Sequence, residues 1–288
     1  MYKIIENKSP EEIVNKSTLR KFESLSSSVK VAVIDGFKEN QLLECSTFHH
    51  PKLDDKITVS SKLRKLEADD HAAHVCGIIS DMTDESTIFD IFCLNNDLFE
   101  IKFTEKTIVN MSIVSETLNT ENETYNFVIN NLDTCIFIIS LGNTSKSYDD
   151  QDYLRFKNLD LIKHKVIFVG NIASDGKTLS PSSTIPGQNK DMQEMTVFAP
   201  GHQINSTVPI LTEEEFEKQY PDQQYNDTGF AEMTGTSMAA PLVANLTQQF
   251  PSLSQQEIVQ IVRGSCTQIA EPELVGNGLI NYNNLSSI

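Results

Sequence analysis

The chain has 288 residues, of which 39% are hydrophobic and 22% charged. That is ordinary globular composition, at a length that buries a large core without disulfide or metal staples. Twenty-three basic residues against forty acidic ones leave a net charge of −17. Such a field repels phosphate backbones and anionic lipid, so nucleic-acid and membrane-surface binding are disfavoured.

Residues 1–28 are polar and rich in Ser, Lys and Glu, and are expected to form an N-terminal extension. They show no basic segment leading into an apolar one, so no secretory signal is expected. No apolar run approaches the ~18–20 residues of a membrane span. Five scattered cysteines (Cys45, Cys76, Cys93, Cys135, Cys266) are odd in number and read as buried reduced thiols, which makes the cytoplasm the expected compartment. Residues 29–288 are expected to form one domain. It opens with VKVAVID (29–35), a short Val-rich run of the kind that makes a buried strand. Similar runs recur at 87–94, 107–114, 135–141, 165–172 and 195–200.

Between them lie helical patterns. HAAHVCGIISDM (71–82) places Ala72, Val75, Cys76 and Ile79 at helical spacing, and residues 122–132 do the same with Tyr125, Val128, Ile129 and Leu132. SMAAPLVANLTQQF (237–250) is apolar and rich in small residues; Pro241 is expected in its first turn, where a missing N–H is tolerated. Ser254 and Glu257 have capping-box spacing at the start of 252–262. The acidic stretch 211–229 reads as a solvated loop. Buried strands alternating with helices predict an α/β fold: three layers, a mostly parallel central sheet and helices on both faces.

Three segments carry candidate chemistry. Asp35 closes the first strand, and functional groups in open α/β sheets gather at the carboxyl ends of strands. An Asp there is more often a loop cap. In DDHAAHVCG, His71 and His74 share a helix face. A metal reading would add Asp69 or Asp70, but the spacing is not that of a known zinc helix, and such a pair is more often structural. Ser237 follows a Gly-Thr turn and opens a helix, where an N-cap serine is far commoner than a nucleophile. Together the three change the balance. Asp, His and Ser, in that chain order, are the elements of an acyl-transfer triad.

The chain resembles the subtilisin-like serine proteases. The resemblance rests on VAVID around Asp35, H-x-x-H-V-x-G at 71–77, VNMS at 109–112, SLGN at 140–143, VFAPG at 197–201, GTSMAAPLVA at 235–244 and GNGLINYNNL at 276–285. It implies a serine endopeptidase in which Asp35 orients, His71 is the general base and Ser237 the nucleophile. His74 is then a packed supporting residue. The family places an oxyanion-binding asparagine in a Gly-Asn pair, and the order of elements selects Asn143 over Asn171. By the same resemblance Ser112, Ile113 and Val114 pair with substrate backbone, and Ser140, Leu141 and Gly142 line the cleft.

Several departures stand out. Gly36-Phe37 follows Asp35, and Ala72-Ala73 follows His71, where the family has Thr-Gly or Ser-Gly and Gly-Thr. The alanine pair motivates an alternative, a catalytically impaired binding module. Val114 replaces a glycine and would narrow the pocket for the residue before the cut. The stretch 94–106 is too short for the family's calcium loop together with its strand and helix. Asn95, Asn96 and Asp97 read as a turn, and no metal or cofactor is expected. An acid among Asp149, Asp150 and Asp152 would favour a basic residue before the cut, although a solvated loop is the commoner reading. The short N-terminal segment leaves no room for the usual propeptide, which resembles the cytoplasmic leader peptidases that mature lanthipeptides. The expected partner is a peptide or protein substrate, such as a modified precursor peptide. A general intracellular turnover protease is the enzymatic alternative.

Overall fold

Seven strands share one sheet in which every neighbouring pair runs parallel. The computed structural model describes residues 30–35, 37–39, 57–59, 66–68, 70–81, 89–93, 101–113, 123–150, 158–173, 175–208, 211–219, 221, 229–281 and 284. In chain order the strands are β1 (Lys30–Asp35), β2 (Phe37–Glu39), β3 (Ile57–Val59), β4 (Leu66–Ala68), β5 (Phe89–Cys93), β6 (Thr107–Met111), β7 (Cys135–Ser140), β8 (Val166–Ile172), β9 (Thr196–Pro200), β10 (Ile204–Thr207) and β11 (Phe230–Met233). The helices are α1 (Asp70–Asp81), α2 (Glu123–Asn130), α3 (Leu159–Ile162), α4 (Lys190–Met195), α5 (Glu213–Gln219), α6 (Thr236–Gln248), α7 (Gln255–Gly264) and α8 (Pro272–Val275).

The sheet order is β3-β5-β1-β6-β7-β8-β9, with two separate antiparallel pairs, β2 with β4 and β10 with β11. β1, β6, β7 and β8 are buried along almost their whole length. A parallel sheet covered on both faces needs apolar side chains on both, which is why these strands read as unbroken apolar runs. Alternate residues feed two cores. Val31, Val33, Ile108, Ile138 and Val169 pack with α1, α6 and α7. Ala32, Ile34, Val109, Phe137 and Phe168 pack with α2, α3 and α4.

The chain leaves β1 in one direction toward β5 and β3, then returns to build β6 to β9 on the other side. This reversal makes a switch point beside β1, and the crevice outside the carboxyl ends of the strands there is where such folds place their sites. Asp35 closes β1, and Ser112 lies just past β6.

Two expectations are corrected. The acidic stretch contains a helix, α5, rather than only loop. Its start is closed by Thr212 and Glu215: the Thr212 N–H donates to Glu215 Oε2 at 2.8 Å, and the Glu215 N–H donates to Thr212 Oγ1 at 3.3 Å. That reciprocal cap, with acids in the first turn, suits the positive end of a helix. Pro241 is the sixth residue of α6, not a member of its first turn. There its missing N–H strands the carbonyl of Ser237 four residues back. The other anticipated cap is present: Ser254 and Glu257 form a capping box on α7.

Cys76, Cys135 and Cys266 are free. Among the described residues no helix is long and apolar enough to cross a membrane. Residues 1–28, Asn95, Asn96, Asp97, Val114 and Asp152 lie outside the described residues.

Candidate active site

Asp35 is 1% exposed at the end of β1, and His71 is the second residue of α1. Asp35 Oδ1 accepts a hydrogen bond from His71 Nδ1 at 2.7 Å. A carboxylate only accepts, so the neutral ring carries its proton on Nδ1 and keeps a lone pair on Nε2. The acid is sealed in protein while the imidazole side chain is 35% exposed. The pair therefore has a fixed, desolvated end and an open, basic end.

Ser237 is the second residue of α6 and 9% exposed. Its hydroxyl donates to the Ser112 carbonyl at 2.9 Å. The bond is reciprocated: Ser112 Oγ donates to the Ser237 carbonyl at 2.9 Å. That carbonyl is the one Pro241 cannot satisfy, so a hydroxyl just past β6 does the work of the absent helix N–H. Asn110 Nδ2 in turn donates to Ser112 Oγ at 2.9 Å, which orients the hydroxyl proton toward Ser237. Asn110 and Ser112 are both buried, so each partner matters more than it would in water.

The Gly142–Asn143 turn is clasped to the residue before Ser237. The Gly142 N–H donates to Thr236 Oγ1 at 3.1 Å, and the Thr236 N–H donates to Asn143 Oδ1 at 2.9 Å. With Oδ1 committed, the amide presents Nδ2 as its donor end. Gly142 has φ 105°, a conformation that favours glycine. A Cβ at Gly235 would come within 3.0 Å of Asn143 Nδ2. Asn143 is exposed, whereas Asn171 is fully buried within β8 beside Ala199 of β9.

The remaining candidates take these places. Ser140 is fully buried and its Oγ donates to the Ile113 carbonyl at 3.3 Å; Ile113 is half-buried. Leu141 is fully buried in the core with Phe137 and Ile139. Asp149 accepts from the Gln188 N–H at 2.5 Å, which ties it to the loop at Gly187. Ala72 and Ala73 are buried in the core, so their methyl groups are accommodated by the packing. His74 is fully buried, and its ring bonds toward β10 and β11 rather than toward Asp35. Among the described residues no group of three or more His, Cys, Asp or Glu is placed to hold a metal.

Asn110 and Thr236 escaped the sequence reading. The available signals were a polar residue inside an otherwise apolar strand and a proline whose upstream carbonyl needs a donor.

Comparison with known proteins gives the following. The thermostable alkaline protease of Halalkalibacterium halodurans is 22% identical over 250 residues, covering 77% of this chain and 59% of that protein. The chain thus spans 59% of the length of the curated relative it matches. The crystal structure of a lanthipeptide protease superposes with TM-score 0.59 at 18% identity, over 90% of this chain and 87% of the other. The prenylagaramide maturation protease PagA gives 0.61 at 17%, over 93% and 97%. A protease of Pseudoalteromonas arctica gives 0.64 at 14%, over 95% and 93%. At these identities the structures share the fold. The model of the subtilase family matches residues 104–278, more than half of the chain. That span starts after Asp35 and His71, which the coordinates join to each other independently. With the sheet, the Gly-Asn turn and the serine-headed helix in the family's order, the chain belongs to the subtilase family of serine peptidases.

Proposed function

We propose that this subtilase is a serine endopeptidase that processes a precursor peptide through an acyl-enzyme on Ser237. The observation that carries the reading is the 2.7 Å bond between buried Asp35 and half-exposed His71 in a chain whose Ser237 heads the buried helix α6. In this reading Asp35 holds the Nδ1–H and stabilises the charged imidazole. Nε2 takes the Ser237 proton as Oγ attacks the scissile carbonyl. Asn143 Nδ2 and the Ser237 N–H donate to the developing oxyanion. The tetrahedral intermediate collapses, the leaving amine takes the proton from His71, and a water activated by the same ring releases the acid. Before attack the Ser237 hydroxyl turns away from the Ser112 carbonyl.

The precursor-peptide substrate is supported by two structural neighbours named as a lanthipeptide protease and a prenylagaramide maturation protease. The shortness of the stretch 94–106 ahead of β6 suits a short, specific substrate better than bulk protein. Burial of Ala72 and Ala73 within the core supports this reading over an impaired binding module.

A fluorophosphonate probe tests the chemistry. Labelling is expected at Ser237 and lost in Ser237→Ala and His71→Ala; a folded wild-type protein that does not label overturns it. Cleavage of precursor peptides encoded beside the gene, against no cleavage of casein, tests the substrate class. Rapid digestion of casein would favour a turnover protease.

A further inference from the structure

His74 lies three residues after His71 on α1 and has no exposed surface. Its Nε2 lies 2.9 Å from the Ile204 carbonyl and 3.0 Å from the Ala231 carbonyl. Both partners only accept, so Nε2 carries the proton and a single N–H is shared between β10 and β11. Nδ1 has no hydrogen-bond partner among the described residues. A buried ring nitrogen left bare costs stability. An apolar side chain of similar size would avoid that cost but would leave two carbonyls without this donor.

The rest of the contact is equally polar. Ser206 Oγ donates to the His74 carbonyl at 2.8 Å, and Thr207 Oγ1 donates to the Ala73 carbonyl at 2.9 Å. Gly77 makes room: a Cβ there would stand 2.2 Å from Thr207 Oγ1 and 2.3 Å from Ser206 Oγ. The ribbon clamped in this way leads straight to the nucleophile. β11 ends at Met233, and the Gly235 N–H that follows donates to the Gly201 carbonyl at 2.8 Å, just ahead of β10. Ser237 comes two residues later.

We infer that His74 is a positioning residue whose shared Nε2–H holds the helix bearing His71 in register with the ribbon that delivers Ser237. The inference rests on the roles proposed above for His71 and Ser237. His74 touches neither substrate nor reacting atoms. It sets the distance between the ring that accepts the proton and the oxygen that gives it, because the two travel on elements it joins.

The test is the rate of covalent modification by a fluorophosphonate. In that reaction Ser237 Oγ forms a bond to phosphorus, fluoride leaves, and the hydroxyl proton passes to His71. Saturation kinetics separate the binding constant of the probe from the maximal rate. His74→Leu, shown folded by its melting curve, is expected to lower the maximal rate on the order of 10–100-fold with the binding constant unchanged. His74→Gln keeps an N–H donor on a more flexible chain and is expected to recover part of that loss. A folded His74→Leu with the wild-type maximal rate overturns the inference, as does a Gln variant no faster than Leu. If His74→Leu does not fold, His74→Phe, which also lacks the donor, takes its place, and a folded His74→Phe with the wild-type maximal rate overturns the inference. Wild-type protein that fails to label at all refutes the protease reading instead, so the two failures are distinguishable.

Discussion

Replacing Ser112 with alanine removes one oxygen and strands two groups. Its hydroxyl donates to the Ser237 carbonyl and accepts from Asn110 Nδ2, both at 2.9 Å. The carbonyl has no helix partner because residue 241 is proline, and Asn110 is fully buried. Each unsatisfied buried group costs about 1–3 kcal/mol, so Ser112→Ala is expected to destabilise the fold by about 2–6 kcal/mol. At about 2–4 °C per kcal/mol for a domain of this size class, the melting midpoint falls by roughly 5–20 °C. Pro241→Ala supplies a new N–H to the Ser237 carbonyl. In the Ser112→Ala background it is expected to return about 1–3 kcal/mol, more than it gives to the wild type. Thermal and denaturant unfolding of the four proteins form a double-mutant cycle. A coupling energy within error of zero, or a Ser112→Ala loss under about 0.5 kcal/mol, would refute the idea that the Ser112 hydroxyl replaces the missing helix bond.

Other expectations follow from the same geometry. Asn143→Ala removes the donor proposed for the oxyanion and is expected to lower kcat by ~10²–10³ with little change in KM; steady-state kinetics showing less than a threefold loss would exclude that role. His74 has its pKa lowered from 6.5 to about 4, chiefly by burial. The unfolded chain therefore takes up a proton near pH 6.5 that the folded protein refuses until about pH 4. Stability from this group is full above the first value and is lost as pH falls toward the second, by about 3 kcal/mol. Unfolding free energies measured from pH 7 to 4 should fall less steeply in His74→Gln, and parallel curves would contradict the assignment. Gly77→Ala drives a methyl into Ser206 and Thr207 and is expected to cost about 1–3 kcal/mol, read as a lower melting midpoint; an unchanged midpoint would show that β10 yields freely.

The central sheet was legible because buried parallel strands leave unbroken apolar runs. All six runs expected as strands contain one, from β1 to β9. The short strands were not legible. β2, β3 and β4 have three residues each, and β10 and β11 four, too few for a periodicity to show. α5 was hidden by acidic composition, although Thr212 and Glu215 carry the spacing of a cap. At the candidate site, the places of Asp35, His71 and Ser237 on their elements could be read from strand ends and a helix start. What holds them could not. The bond from Ser112 Oγ to the Ser237 carbonyl spans 125 residues and exists because Pro241 withholds an N–H. A pairing of that kind depends on register across the sheet, which a single sequence does not display.

The strand arrangement also bears on biosynthesis. β1 is completed only when β6 docks beside it, pairing Val31 with Ile108, and the ribbon that seats His74 arrives later still, with Ala231 157 residues downstream. Contacts so distant along the chain are slow to form. On the ribosome, a nascent polypeptide would expose its acid and its imidazole long before translation reached the serine. Any hydrolytic activity of the kind proposed above then waits on Ser237, the last of the three groups to be added.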